Sequence, residues 1–148
     1  EPVPLAPLLS DVADELAALA DEKRITVRVQ ETQVVVRGQD GLLERVFYNL
    51  LENAIKYSLA GTAIDVAVGT DGECTTVSFA DEGCGVPEEL RETIFEPFFR
   101  VDASRSHLTG GNGLGLALCK KILERHGASI CVLPRTPRGS IFQVSFPA

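Results

Sequence analysis

The sequence has no run of apolar residues long enough to cross a membrane. A transmembrane helix needs roughly 20 consecutive, mostly apolar residues, and no stretch of the chain approaches that length. No signal peptide opens the chain, and residue 1 is Glu rather than Met, which predicts a fragment of a longer protein. Any membrane segment of the parent protein is therefore expected outside these 148 residues.

Metal-binding and strongly basic patterns are also missing. Cys74, Cys84, Cys119 and Cys131 form no Cys-x-x-Cys pair and have no histidine at metal-site spacing. We interpret three of them as small buried side chains, and Cys84, in a glycine-rich loop, as exposed. The net charge of −7 argues against nucleic acid as a partner, because binding it requires clustered Lys and Arg. A small phosphate ligand stays possible, since a few cations and backbone amides can hold one.

The apolar pattern predicts one α+β domain over residues 1–148. Helical spacing runs through residues 5–23, from Asp40 onward, and through residues 114–126, with a short acidic helix near residues 88–94. Alternating apolar residues predict strands at residues 25–29, 34–36, 64–68, 77–79, 130–133 and 141–146. This order predicts a two-layer α/β sandwich, a mixed β-sheet covered on one face by three main helices. The strand order is not readable from the pattern.

Polar side chains form a stripe beside the apolar face of the second main helix. Asn49, Asn53, Lys56 and Tyr57 are spaced so that they share one side of a helix. Amide oxygens can bind a phosphate-bound Mg²⁺, and an ammonium group can bind phosphate. Taken alone, such a stripe is more often a solvated helix face.

Two glycine-rich stretches follow. Asp81 comes directly after a strand, where a carboxylate can accept a hydrogen bond from the exocyclic amine of adenine, and Gly83 and Gly85 allow the backbone to approach a flat ring. Residues 110–116 open a helix, where glycines expose N–H groups that suit phosphate. This second stretch is neither a P-loop nor a Rossmann fingerprint. In isolation, the first stretch is more often a tight turn, and the second fits an ordinary helix start equally well.

In this order, the three stretches resemble the catalytic domain of bacterial sensor histidine kinases, within the gyrase–chaperone–kinase–mismatch-repair ATPase superfamily. Residues 49–57 are similar to the asparagine box of that family, and residues 81–85 to its first glycine box. Residues 94–100 resemble its phenylalanine box, and residues 111–116 its second glycine box. The similarity extends over essentially the whole chain, including the Gly-x-x-Phe strand start at residues 139–142.

The resemblance implies a site for ATP and Mg²⁺. Asn53 would bind Mg²⁺, with Asn49 and Lys56 on the phosphate side. Tyr57 would pack near the adenine or ribose, and Asp81 would bind the adenine amine. The other implied ATP contacts come from the glycine boxes and from a flexible ATP lid over residues 100–112: Gly83, Gly85, Val86, Arg100, Arg105, Gly111, Gly113, Leu114, Gly115 and Leu116.

The resemblance also implies a reaction. The hydrolysing relatives carry a Glu one helical turn before the Mg²⁺-binding Asn, and here that position is Asn49, which cannot act as a base. Neither His107 nor His126 has the context of a phosphoacceptor. We therefore expect a monomeric, cytoplasmic domain that gives the γ-phosphate of ATP to a histidine on a separate dimerisation domain, for transfer to a response regulator. The parent protein would be anchored in the bacterial inner membrane.

Three other functions stay open at this point. An ATP-hydrolysing conformational switch is disfavoured by Asn49. A protein-serine kinase of the anti-sigma type would share the fold. A nucleotide-sensing module without catalysis is disfavoured because all the boxes are intact.

Overall fold

The computed structural model describes residues 1–96, 115–136 and 138–147. The helices of these ranges are α1 (Leu5–Glu15), α2 (Ala17–Glu22), α3 (Asp40–Tyr57) and α4 (Gly115–Arg125). The strands are β1 (Pro2–Pro4), β2 (Thr26–Val29), β3 (Val35–Arg37), β4 (Ala63–Thr70), β5 (Cys74–Ala80), β6 (Ser129–Pro134) and β7 (Ser140–Pro147). Two 3₁₀ turns follow β5, at Glu88–Leu90 and Thr93–Phe95. Within the described ranges, no helix is both long and apolar enough to span a bilayer.

Five strands form the main sheet, in the order β2-β4-β5-β7-β6. The β2–β4 pair is parallel and the other neighbours are antiparallel. Strands β1 and β3 form a separate antiparallel pair. Asp65 of β4 lies opposite Ala80 of β5, which in turn lies opposite Ile141 of β7. The end of β5 is therefore enclosed between two neighbouring strands.

The helices cover one face of this sheet and bury it. Alternating strand residues such as Val77 and Phe79 are fully buried, and so is the apolar face of α3. The Phe47 ring on α3 packs against the Phe79 and Phe146 rings, with centroids 6.0 and 6.5 Å apart. Burying an aromatic side chain stabilises the fold by roughly 1.5–3 kcal/mol, so these rings join the two layers firmly. The predicted two-layer sandwich is confirmed.

Several element boundaries differ from the expectation. The first predicted helix is two helices, because Leu16 interrupts it with φ −97° and ψ 3°. Gln39, rather than Asp40, occupies the N-cap position of α3. The short acidic helix is a pair of 3₁₀ turns.

The pairing of the early strands could not be inferred from their spacing. The strands near residues 25–29 and 34–36 are not neighbours, since β2 pairs with β4 and β3 with β1. Cys131 was expected to be buried and is exposed, because it alternates with the buried Val132 and lies on the opposite face of the sheet. The exposed Cys84 and the buried Cys119 agree with expectation, while Cys74 is half-buried.

Candidate functional site

Asp81 is a buried carboxylate immediately after β5, with only 4% of its surface exposed. Its Oδ1 accepts hydrogen bonds from the Gly83 N–H at 2.9 Å and the Ser140 N–H at 3.2 Å. Burial raises the pKa of Asp81, while these two donors and the positive charge of Arg135 act in the opposite direction. Among the described residues, no group donates to Oδ2. This second oxygen is therefore available to a donor on a ligand.

Two close backbone approaches hold the Asp81 loop in place. Gly83 forms an isolated antiparallel bridge with Ser58, and a Cβ on Gly83 would collide with the carbonyl oxygen of Tyr57. Gly139 has φ 113°, and a Cβ there would collide with the Asp81 carbonyl oxygen. Larger residues at either position would push the loop away, because both obstacles are backbone atoms. The loop is thus clamped between the end of α3 and the start of β7.

Gly85 and Val86 follow the clamped Asp81 loop along the chain. Gly85 adopts φ 77°, a left-handed conformation that suits glycine. Val86 is half-buried and packs against the core, and its carbonyl accepts a hydrogen bond from Arg91 Nε at 3.3 Å. Asp81, Gly83, Gly85 and Val86 therefore form one continuous segment beside the end of α3.

The polar stripe predicted from the sequence lies on α3 and is exposed enough to bind a ligand. Asn49, Asn53 and Lys56 are half-buried, and Tyr57 at the end of the helix is 40% exposed. The Lys56 Nζ lies 3.9 Å from Glu52 Oε1, a long contact between half-buried side chains. Lys56 can therefore still bind a phosphate, because so loose an ion pair is weak.

Sequence reasoning missed Lys23 at this site. Its Nζ donates to the carbonyl of Ile55 at 3.0 Å and to the carbonyl of Lys56, at the C-terminal end of α3. A cation in this position stabilises a helix end and satisfies carbonyls that lack helical partners. Lys23 therefore helps to fix the turn that carries Lys56 and Tyr57. The sequence gives no signal for this contact, since 32 residues separate Lys23 from Ile55.

Helix α4 is attached to the stripe through Cys119. Burial raises the pKa of the Cys119 thiol to about 12, and a hydrogen bond from the Asn49 side chain opposes this shift. The thiol also contacts the Val46 carbonyl at 3.7 Å. One turn earlier, Leu116 packs against the core, and a Cβ at Gly115 would meet nothing within 4 Å. Helix α4 therefore packs next to α3.

Part of the predicted site and the predicted lid lie outside the described residues. They are the lid over residues 100–112 and five implied ATP contacts: Arg100, Arg105, Gly111, Gly113 and Leu114.

With this fold and this arrangement, the chain belongs to the histidine kinase-, DNA gyrase B- and HSP90-like ATPase family, whose profile matches residues 38–148. Within this family, its relatives are sensor histidine kinases. The sensor-like histidine kinase SenX3 of Mycolicibacterium smegmatis is 36% identical over 141 residues, which are 95% of this chain and 37% of SenX3. The chain thus spans about a third of the length of that relative.

Solved structures agree with this assignment. The mycobacterial sensor histidine kinase MprB superposes with a TM-score of 0.87 at 28% identity, covering 99% of this chain and 96% of that one. The histidine kinase ThkA, solved in complex with the response regulator TrrA, gives a TM-score of 0.81 at 26% identity, covering 99% of this chain and 41% of that one.

Proposed function

We propose that this chain is the ATP-binding catalytic domain of a two-component sensor histidine kinase. It binds ATP with Mg²⁺ and donates the γ-phosphate to a histidine on the dimerisation domain of its parent protein. A response regulator then receives the phosphoryl group, a role supported by the ThkA–TrrA complex. Anchoring of the parent in the bacterial inner membrane stays a prediction.

The observation that carries the proposal is the Oδ2 of the buried Asp81, to which no described residue donates a hydrogen bond. A buried carboxylate oxygen without a donor costs free energy unless a ligand supplies one. The exocyclic amine of adenine is such a donor, and the clamped loop at Gly83 fixes the position of Asp81 beside the end of α3. The family membership supplies ATP as the nucleotide.

The polar stripe of α3 then faces the phosphates. It consists of Asn49, Asn53, Lys56 and Tyr57. Asn53 offers one amide oxygen to Mg²⁺, which when bound neutralises charge on the phosphates. Lys56 adds a cation, and Lys23 holds the turn that carries it. Asn49 has no basic atom, and its side chain is hydrogen-bonded to Cys119. These groups bind and orient ATP, but none activates a water.

The nucleophile consequently comes from another domain. A nitrogen of the acceptor imidazole attacks the γ-phosphorus, forming a P–N bond as the bond to the β–γ bridging oxygen breaks. ADP leaves with the electron pair of that bond, and the imidazole N–H proton passes to solvent. The present domain contributes position and charge, which dominate catalysis of phosphoryl transfer.

The Mg²⁺ assignment is tested at Asn53. Asn53→Ala should remove most of the Mg²⁺ dependence of ATP affinity, measured by calorimetry with Mg²⁺ and with EDTA. Arg45→Ala, at an exposed position about two turns earlier on α3, is the matched control and should keep the dependence. An unchanged Mg²⁺ dependence in Asn53→Ala contradicts the metal assignment.

The reaction is tested with the dimerisation domain of the parent protein. This chain, mixed with that domain and labelled ATP, should give acid-labile, base-stable label on the dimerisation domain and very little free phosphate. Phosphoserine would instead support a serine kinase, and rapid phosphate release by this chain alone would support a hydrolytic switch.

A further inference from the structure

Arg135 connects the turn between β6 and β7 to the strand end that carries Asp81. Its Nη1 donates to the carbonyl of Ala80 at 3.2 Å, and its Nη2 donates to Asp65 Oδ2 at 3.0 Å. Its own backbone N–H donates to the Gly139 carbonyl at 3.1 Å. The side chain is only 23% exposed, so this is a largely enclosed guanidinium with defined partners.

The contact with Ala80 is close to the base-binding carboxylate. Ala80 is the last residue of β5, and Asp81 follows it directly. The neighbouring Gly139 touches the Asp81 carbonyl, and Ser140 exchanges hydrogen bonds with Asp81. One short turn therefore holds Asp81 from two sides, through its backbone at Ser140 and through Arg135 at Ala80.

A second arginine provides a natural comparison. Arg28 of β2 also pairs with Asp65, with its Nε 2.6 Å from Oδ1, but it makes no bond to Ala80. Its side chain is 62% exposed. Removing either arginine weakens the same carboxylate pairing, but only removal of Arg135 also removes the side-chain hydrogen bond to the end of β5.

We propose that Arg135 is a positioning residue for base recognition, which fixes the end of β5 so that Asp81 Oδ2 faces the amine of the bound adenine. The proposal rests on the proposed function, because it assumes that Asp81 binds the base. Arg135 itself touches neither the base nor the phosphates.

The test compares two ligands in three variants. Calorimetry in the presence of Mg²⁺ measures the affinity of wild type, Arg135→Gln and Arg28→Gln for ATP and for purine riboside triphosphate, which lacks the exocyclic amine. In wild type, ATP should bind more tightly than the analogue. Arg135→Gln should weaken ATP binding about tenfold, as expected when a hydrogen bond to the base is misaligned, and change analogue binding less than about twofold. Arg28→Gln should leave both affinities within about twofold.

A conservative variant separates positioning from general damage. Arg135→Lys keeps one donor for the Ala80 carbonyl and should recover part of the preference for ATP. Equal weakening of both ligands in Arg135→Gln would overturn the proposal, and so would an equal effect of Arg28→Gln, which would place the cause at Asp65. Failure of wild type to bind ATP would instead overturn the proposed function.

Discussion

Two carboxylates, 16 positions apart in the sequence, have pKa values shifted in opposite directions on the two faces of the sheet. Asp65 lies on the open face, where hydrogen bonding to Arg28 is the main cause that lowers its pKa. Asp81 lies under the helix layer, where burial is the main cause that raises its pKa. Arg135 reaches both, through a direct ion pair with Asp65 and through the carbonyl before Asp81.

The difference separates a carboxylate whose partners lie within the chain from one that we propose binds a ligand. Asp65 uses both oxygens on arginines, so its charge is satisfied by the folded chain itself. Asp81 uses one oxygen on backbone donors and keeps the other free of described partners. The two backbone donors and the positive charge of Arg135 offset part of the cost of burying the Asp81 charge.

The largest effect is expected from Asp81→Asn. The variant loses a charge-assisted acceptor, so ATP affinity should fall by about 1.5–3 kcal/mol, roughly 10- to 150-fold, and the preference for ATP over GTP should shrink. The stability of the ligand-free domain should stay the same or rise, because a buried charge is removed. Calorimetry and thermal unfolding measure the two quantities. Unchanged ATP affinity would contradict the base-binding role.

Lowering the pH should protonate Asp81 before Asp65, so the two carboxylates can be distinguished without a mutation. Because the folded-state pKa of Asp81 is raised, its protonation begins above the ordinary aspartate range near pH 4 and relieves the burial cost of its charge. The Asp65 pKa is lowered, so its stabilising contribution is lost only below that range.

ATP affinity should therefore fall with decreasing pH before the Asp65 ion pairs are lost. The measurement is ATP affinity and melting temperature over the same pH series, with Asp81→Asn as the control. Subtracting the pH profile of Asp81→Asn removes the part of the pH dependence that comes from titration of ATP itself. Identical pH profiles in wild type and control would exclude Asp81 as the titrating group.

The smallest effect is expected from Asp65→Asn. Its pair with Arg28 is well exposed and its pair with Arg135 is partly exposed, so the free energy of unfolding should drop by about 1 kcal/mol, and by less in high salt. ATP affinity should change no more than about twofold, since Arg135 keeps its bond to the Ala80 carbonyl. Urea unfolding at two salt concentrations measures the drop in the free energy of unfolding. A loss of ATP affinity as large as in Asp81→Asn would show that the two sites are not separate.

The sequence predicted the elements that depend on local pattern. The apolar face of α3, the alternating residues of β4, β5 and β7, and the helix layer on one sheet face are all as expected. The position of Asp81 at a strand end followed from the same pattern. Its contact with α3 through Gly83 confirms that two of the predicted stretches meet in space.

Contacts between distant residues could not be predicted in this way. Lys23 at the end of α3 and Arg135 at the end of β5 are ordinary basic residues in loops, without a motif. His126 lies directly after the end of α4 and also belongs to no motif. In the structure, its Nε2 accepts a hydrogen bond from the Gln39 N–H at 3.0 Å, joining the end of α4 to the start of α3. Such contacts depend on tertiary packing, for which one sequence carries no periodic signal.

The hydrogen bond between Asp81 and Ser140 closes a loop of 59 positions and has a consequence for synthesis on the ribosome. Long-range contacts form slowly because the loop entropy is lost before the contact stabilises the chain. The growing chain exposes Asp81 well before Ser140 has been made. The proposed base site is thus complete only when β7 has been made and has paired with β5.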